Sequence, residues 1–204
     1  MKDEKSAGND ARRVGEEGLF DALAEDNIQT LENCDFQHIL TTDPHTYNTL
    51  LNEYPSKGGV YSVKHYLTLL TELIQSGDIK ITKPLKIKGT YHDPCYLGRA
   101  NQVYEAPRKL IKKLDAELLE MKNCKEKGLC CGAGGAQMFK EPEKGNKDVN
   151  IERTEQALKT KPDIIAAACP FCNTMMSDGV TNKERDKNVE VKDIAELIAS
   201  AEGM

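Results

Sequence analysis

The chain has 204 residues, enough for one or two domains with a sizeable core. Its 28 Lys+Arg against 33 Asp+Glu leave a net charge of −5, which argues against a broad basic surface for nucleic acid. Tryptophan is absent and aromatics make up 5%, so stacking platforms for single strands are not expected either.

Residues 10–32 are predicted as a helix, with Asp10 as N-cap and Leu19, Leu23, Ile28 and Leu31 as a rough apolar stripe. Arg12 and Arg13 fall in its first turn, where the helix dipole disfavours cations. A solvated face is the simpler expectation for them, and contact with an acidic group or a partner is the alternative. The chain then alternates. A short strand (38–42) precedes a helix from Pro44 through Asn52. A strand (60–63) precedes a helix (66–76) ended by Gly77. A strand (86–92) precedes a helix (104–114), followed by a strand-like segment (117–121). A glycine-rich loop (131–135) leads into a long polar helical region ending near Thr160. The last elements are a buried strand (164–168), a helix from Pro170, a short strand (189–191) and a helix from Asp193. Strands alternating with helices predict an α/β fold with a mostly parallel sheet.

The chain also repeats itself. QHILTTDPHT (37–46) lines up with DIIAAACPFC (163–172), and after a one-residue slip Asn-Thr recurs at 48–49 and 173–174. Downstream, YSVKH (61–65) resembles VEVKD (189–193), and Glu-Leu-Ile occurs at 72–74 and 196–198. Two pseudo-repeated, Rossmann-like units are therefore expected, divided as residues 1–84 and 85–204. The strand-to-helix tetrapeptide is Asp43-Pro44-His45-Thr46 in the first unit and Cys169-Pro170-Phe171-Cys172 in the second.

Five cysteines carry the chemistry: Cys95, the adjacent pair Cys130 and Cys131, and Cys169 with Cys172, in the pattern C-x34-CC-x37-C-x2-C. The polar start MKDEKSAGND lacks the apolar core of a signal peptide, and the longest apolar stretch, 164–171, is far too short to cross a bilayer. A cytoplasmic protein without membrane insertion is expected. In that reducing compartment clustered cysteines mean metal or catalysis more often than disulfides, and the odd total of seven fits a disulfide framework poorly.

A C-x2-C pair at a strand-to-helix turn points two sulfurs at one place, and the helix start stabilises thiolates. Gly132, Gly134 and Gly135 let the backbone pass close to a bulky inorganic group and donate N–H bonds to it. Cys95 follows His92-Asp93-Pro94 at the end of a strand, the edge of a parallel sheet where ligands gather. Four explanations compete: an iron–sulfur cluster, a zinc site that would leave one cysteine spare, a thiol–disulfide redox pair at Cys169 and Cys172, and simple buried cysteines.

Other residues have plainer expectations. Cys34 is a helix-end or loop residue. Cys124, between Lys122 and Lys127, is a loop thiol whose lysines could lower its pKa; an exposed thiol without a role is the simpler expectation. His92 could ligate, hydrogen-bond a sulfide, or pack beside the loop. Asp43 and His45 could bind a metal but fit helix capping better. The charge-rich segment 141–161 is expected to be a solvated helix with ion pairs, with a docking face for a ferredoxin-like partner as the alternative.

HDPCYLGRANQVYEAPRKLI (92–111), GLCCGAGGAQMFKE (128–141) and AACPFCNTMMSDG (167–179) resemble the cysteine-rich CCG domain of heterodisulfide reductases, glycolate oxidase iron–sulfur subunits and lactate-utilisation proteins. The weaker match at 37–75 resembles the end of a first, degenerate CCG copy. The resemblance implies that Cys95, Cys130, Cys131, Cys169 and Cys172 hold a non-cubane [4Fe-4S] cluster in a pocket shaped by Gly132, Gly134 and Gly135. It also implies an electron-transfer component working with a ferredoxin-like or flavin-bearing redox partner, which can itself be membrane-bound. The first copy lacks its cysteines, with Ser6 or Ala7 where the family carries one near the N-terminus. That departure argues against two-cluster heterodisulfide cleavage by this chain alone.

Overall fold

The computed structural model describes residues 4–141, 144–183 and 189–202. Its strands form two sheets in which every pairing is parallel. The smaller joins β1 (Ile39–Thr41) to β2 (Val63–His65). The larger holds β3 (Lys88–Tyr91), β4 (Glu117–Leu118), β5 (Ile164–Ala167) and β6 (Glu190–Asp193) in the spatial order β4-β3-β5-β6. The α/β class expected from the alternation is therefore what forms.

The helices are α1 (Asn9–Arg13), α2 (Glu17–Glu32), α3 (Pro44–Asn48), α4 (Tyr66–Ser76), α5 (Cys95–Gly98), α6 (Glu105–Lys113), α7 (Val149–Leu158), α8 (Pro170–Lys183) and α9 (Ile194–Glu202). Strand β5 is buried along its whole length, as befits a central parallel strand covered on both faces. Its residues alternate between two cores. Ile164 and Ala166 pack with Leu110, Ile111, Leu197 and Ile198 of α6 and α9, while Ile165 packs with Ala157, Met176 and Val180 of α7 and α8. Tyr66 and Leu67 of α4 join the first of these cores, so the helix of the first repeat packs on the sheet of the second.

The sequence repeat reappears as register. Ile39 pairs with Val63 as Ile165 pairs with Val191; Leu40 with Lys64 as Ala166 with Lys192; Thr41 with His65 as Ala167 with Asp193. The ends of the second strands match too. His65 Nδ1 accepts from the Leu67 amide at the start of α4, and Asp193 Oδ1 accepts from the Ala195 amide at the start of α9.

Several boundaries differ from expectation. The helix at 10–32 is two helices, because Gly15 adopts φ 91° and the Gly15 and Glu16 amides close back on the Arg12 and Ala11 carbonyls. Gly8, not Asp10, occupies the N-cap. The buried side of α2 is Phe20, Ala24, Asn27 and Leu31, whereas Leu19 is 52% exposed. Arg12 and Arg13 are not simply solvated: both pair with Glu53, Arg12 Nη1 at 2.9 Å. The helix from Pro44 widens into a π turn at Thr49–Glu53, which places Glu53 there, and continues as a 3₁₀ turn to Lys57.

The strand expected at 60–63 starts at Val63. Residues 59–62 before it have no regular structure, and Gly59 lies so close to Ile28 that a Cβ would come within 2.9 Å. Strand β4 ends at Leu118 because the Thr90 hydroxyl takes the Leu119 carbonyl at 2.7 Å. The polar helix begins only at Val149. It carries the expected ion pairs, Lys147 with Glu152 and Glu155, and Lys183 with Glu155. Residues 142–143 of the charge-rich segment lie outside the described residues.

Candidate metal centre

Strands β3 and β5 are parallel neighbours, so their carboxyl ends open at the same edge of the sheet. The His92 amide extends the pairing by donating to the Ala166 carbonyl at 2.9 Å. Beyond this point β3 runs through His92, Asp93 and Pro94 into α5, which begins with Cys95, and β5 runs through Cys169 into α8. Between them comes the loop with Cys130 and Cys131. It turns at Gly132, φ 93°, where a Cβ would press on Val149 at 3.3 Å, and again at Gly135, φ 69°.

These three segments bring the five cysteines into one row. Cys95 is within hydrogen-bonding reach of Cys130, Cys130 of Cys131, Cys131 of Cys172, and Cys172 of Cys169. Cys169, Cys172 and Cys131 are buried, and Cys95 and Cys130 are half-buried. The Gly132 amide donates to Cys130 Sγ at 3.3 Å, as a glycine loop around anionic sulfur should.

So close a row cannot ionise freely. Hydrogen bonds from Cys131, Cys95 and the Gly132 amide push the Cys130 thiol far down, so it carries the charge. The hydrogen bond to that thiolate, together with burial, pushes Cys131 up to about 12. Cys95 goes up chiefly through Cys130, and Cys172 through Cys131 and Cys169. Such a site gathers charge only when a cation replaces the protons.

A second layer holds the row. Asp93 takes both Nη1 and Nη2 of Arg108, at 2.7 and 2.9 Å, and the Lys125 amide at 2.8 Å. Glu120 takes Arg108 Nε at 2.6 Å. His92 and Arg153 are fully buried, with Arg153 Nε donating to His92 Nδ1 at 3.0 Å. A ring nitrogen of His92 lies within 4.8 Å of the sulfurs of both Cys131 and Cys172. Burial, then the Arg153 charge, lowers the imidazole to about 3, so His92 is neutral. Sequence reasoning does not reach Arg108 or Arg153. Arg108 sits in a lysine-rich helix and Arg153 in a polar one with two glutamates, both of which look solvated, and only the spacing of Arg153 to the buried Ala157 hints at an inward face.

The matching turn of the first repeat is built differently. Asp43 caps α3, accepting from the His45 and Thr46 amides at 3.0 and 2.9 Å and from the Thr46 hydroxyl at 2.8 Å. The capping role expected for it is the one it plays. His45 stacks on Phe171, its counterpart in the repeat, with ring centroids 5.2 Å apart. Gly134 lies opposite His45. A cavity of about 280 Å³ lined by Asn9, Asp43, His45 and Thr46 therefore abuts the cysteine turn. Of the remaining thiols, Cys34 is exposed at the end of α2. Cys124 is half-buried, and burial with Glu120 raises its pKa, contrary to the lowering its lysines suggested.

Comparison with known proteins follows the same outline. Residues 89–177, the segment that holds all five cysteines, match the family model of the CCG cysteine-rich domain. The chain carries a CCG domain. Similarity extends beyond it on both sides. The probable iron-sulfur-binding oxidoreductase FadF of Bacillus subtilis is 45% identical over 97% of this chain and 28% of its own length. The EtfAB:quinone oxidoreductase of Syntrophomonas wolfei is 42% identical over 98% of this chain and 29% of its own. A subunit of the dihydromethanophenazine:CoB–CoM heterodisulfide reductase of Methanosarcina barkeri is 33% identical over the whole chain and 51% of its own length. The chain thus spans under a third of the first two relatives and about half of the third. Among the described residues no helix is long and apolar enough to cross a membrane.

Proposed function

We propose that this chain is the cluster-bearing, electron-transferring part of an iron–sulfur oxidoreductase, with Cys95, Cys130, Cys131, Cys169 and Cys172 as ligands. The unbroken row of five sulfurs carries the proposal. Soft thiolate donors suit iron–sulfur clusters, and the relatives include proteins named for iron–sulfur binding and oxidoreductase activity. Five ligands, more than the four of an ordinary cubane, favour the non-cubane [4Fe-4S] form. When bound, the cluster supplies a one-electron centre. The five cysteines would ligate it, and N–H groups such as that of Gly132 are aimed at sulfur.

Residues 1–84 then form a first unit without thiol ligands, and residues 85–204 the complete one. A ferredoxin-like or flavin-bearing protein is the expected electron partner, in a reducing compartment such as the cytoplasm. The test is anaerobic purification with iron and acid-labile sulfide analysis and EPR. Iron and sulfide in stoichiometric amounts support the assignment; zinc without sulfide overturns it.

One observation favours zinc: the tight group of His92, Cys131 and Cys172. Against it, Arg153 already occupies His92 Nδ1, which leaves the proton of a neutral ring on Nε2. A thiol–disulfide reductase through Cys169 and Cys172 is disfavoured by their burial, which keeps substrate disulfides away.

A further inference from the structure

Arg153 is a buried cation without a carboxylate contact among the described residues. Its Nη1 donates to the Asn123 carbonyl at 2.7 Å and to Gln156 Oε1 at 3.1 Å, and its Nη2 has no partner there. The contrast is Arg108 in the same layer, whose charge is matched by Asp93 and Glu120. Asp93 has both oxygens committed to Arg108. A guanidinium buried this way is strongly unfavourable unless an anion compensates it. Besides Asp93, the groups whose ionised forms act on Arg153 are Cys124, Cys172 and Cys131. Two of these belong to the sulfur row.

His92 completes the arrangement. A guanidinium can only donate, so the bond from Arg153 Nε makes His92 Nδ1 an acceptor and places the proton on Nε2. That Nε2 is buried and, among the described residues, unpartnered. His92 Nε2–H is thus a buried donor on a ring of which one nitrogen lies within 4.8 Å of the sulfurs of Cys131 and Cys172.

We propose that Arg153 and His92 are a positioning pair that tunes the bound cluster. Arg153 fixes His92 as the Nε2–H tautomer, His92 offers that N–H to the sulfur face at Cys131 and Cys172, and the guanidinium charge favours the more negative, reduced state. The proposal rests on the assignment of a cluster to the five cysteines.

The test compares the full chain with Arg153→Gln, Arg153→Lys, His92→Phe and His92→Gln, all purified anaerobically. Iron and sulfide are measured first; their absence from the unsubstituted protein overturns the cluster assignment and leaves the pair's geometry to be judged on its own. EPR-monitored redox titration follows. Arg153→Gln is expected to lower the reduced-to-oxidised ratio at a fixed potential about tenfold, or ~59 mV for a one-electron couple. His92→Phe shifts it the same way. His92→Gln, which keeps an N–H donor, and Arg153→Lys, which keeps the charge, recover most of the loss. Unchanged potentials in both Arg153→Gln and His92→Phe at full loading overturn the proposal. A variant that does not load is read by ¹⁵N NMR of the metal-free protein. His92 is expected as the Nε2–H tautomer in the unsubstituted chain and as a mixture in Arg153→Gln; the same tautomer population in both overturns the pair.

Discussion

The two strand–proline–helix turns share a backbone plan and differ in what they place at the helix start. At α3 the residue before proline is Asp43, whose carboxylate closes on the helix's own amides. At α8 the same position is Cys169, and Cys172 stands where the first turn has Thr46. A helix N-terminus attracts negative charge in either case. In the first turn the chain supplies that charge itself and the turn is complete. In the second the chain supplies two sulfurs in place of a capping carboxylate, and hydrogen bonds with Cys131 and Cys169, with burial, push the Cys172 thiol up. One register, shared down to Ile39–Val63 and Ile165–Val191, thus supports a finished structural turn and a receptive one.

The sharpest way to break this comparison is to exchange the chemistries. Cys169→Asp should give α8 a cap like that of α3 while removing most of the iron and sulfide, and Cys131→Ser should do the same to loading. Cys124→Ser should leave both contents unchanged, since Cys124 lies outside the row. Equal iron in Cys131→Ser and Cys124→Ser would show that the ligand set is wrong.

Proton release should follow next in size. Cys131 sits at about 12 and Cys95 and Cys172 are also raised, so near neutral pH metal must displace protons from them. Zn(II) affinity, measured by chelator competition from about pH 6.5 to about pH 8.5, should rise by roughly tenfold or more per pH unit. A flat profile would mean that the thiols are already ionised and that the row is not coupled.

The alternation of strands and helices, the repeat and the five cysteines were legible in the sequence because each leaves a local mark: an apolar run, a matching tetrapeptide, a glycine loop. The second layer was not. Arg108 and Arg153 look like surface charges on polar helices, and only the fold turns them inward. The helix break at Gly15 and the widened turn at Thr49–Glu53 escape the sequence for a related reason. The first is made by the backbone of Gly15 without disturbing the apolar periodicity, and the second brings Glu53 to Arg12 and Arg13, a tertiary pairing that periodicity does not show. The interlocking of the repeats through α4, and the stacking of His45 on Phe171, likewise needed the packed structure.

The equivalent residues His65 and Asp193 offer a smaller test. Burial lowers His65 to about 4, so the unfolded chain takes up a proton at higher pH than the folded one. Its contribution is intact above about pH 6.5 and is lost as pH falls towards 4, by about 3 kcal/mol in all. His65→Asn keeps a capping side chain and removes the titration. Urea unfolding of the metal-free protein at pH 7 and about pH 5 should therefore show less acid destabilisation in the variant than in the parent. Identical pH dependence would place the acid sensitivity elsewhere.

The smallest effect asks whether the finished turn is independent of the receptive one. Asp43→Ala removes three hydrogen bonds at the start of α3 and should lower stability by about 1 kcal/mol, the usual consequence of losing an N-cap. Asp43→Asn, still able to cap, should lose less. Because Asp43 touches no sulfur of the row, iron and sulfide should stay at parental levels in both. The first turn meets the second through the ring of His45 on Phe171, and His45 also packs on Tyr96 of α5; a ring stack resists separation more than it transmits small shifts of a helix start. A fall in iron content in Asp43→Ala that Asp43→Asn does not share would show that the first turn holds Phe171, and with it Cys169 and Cys172, in place.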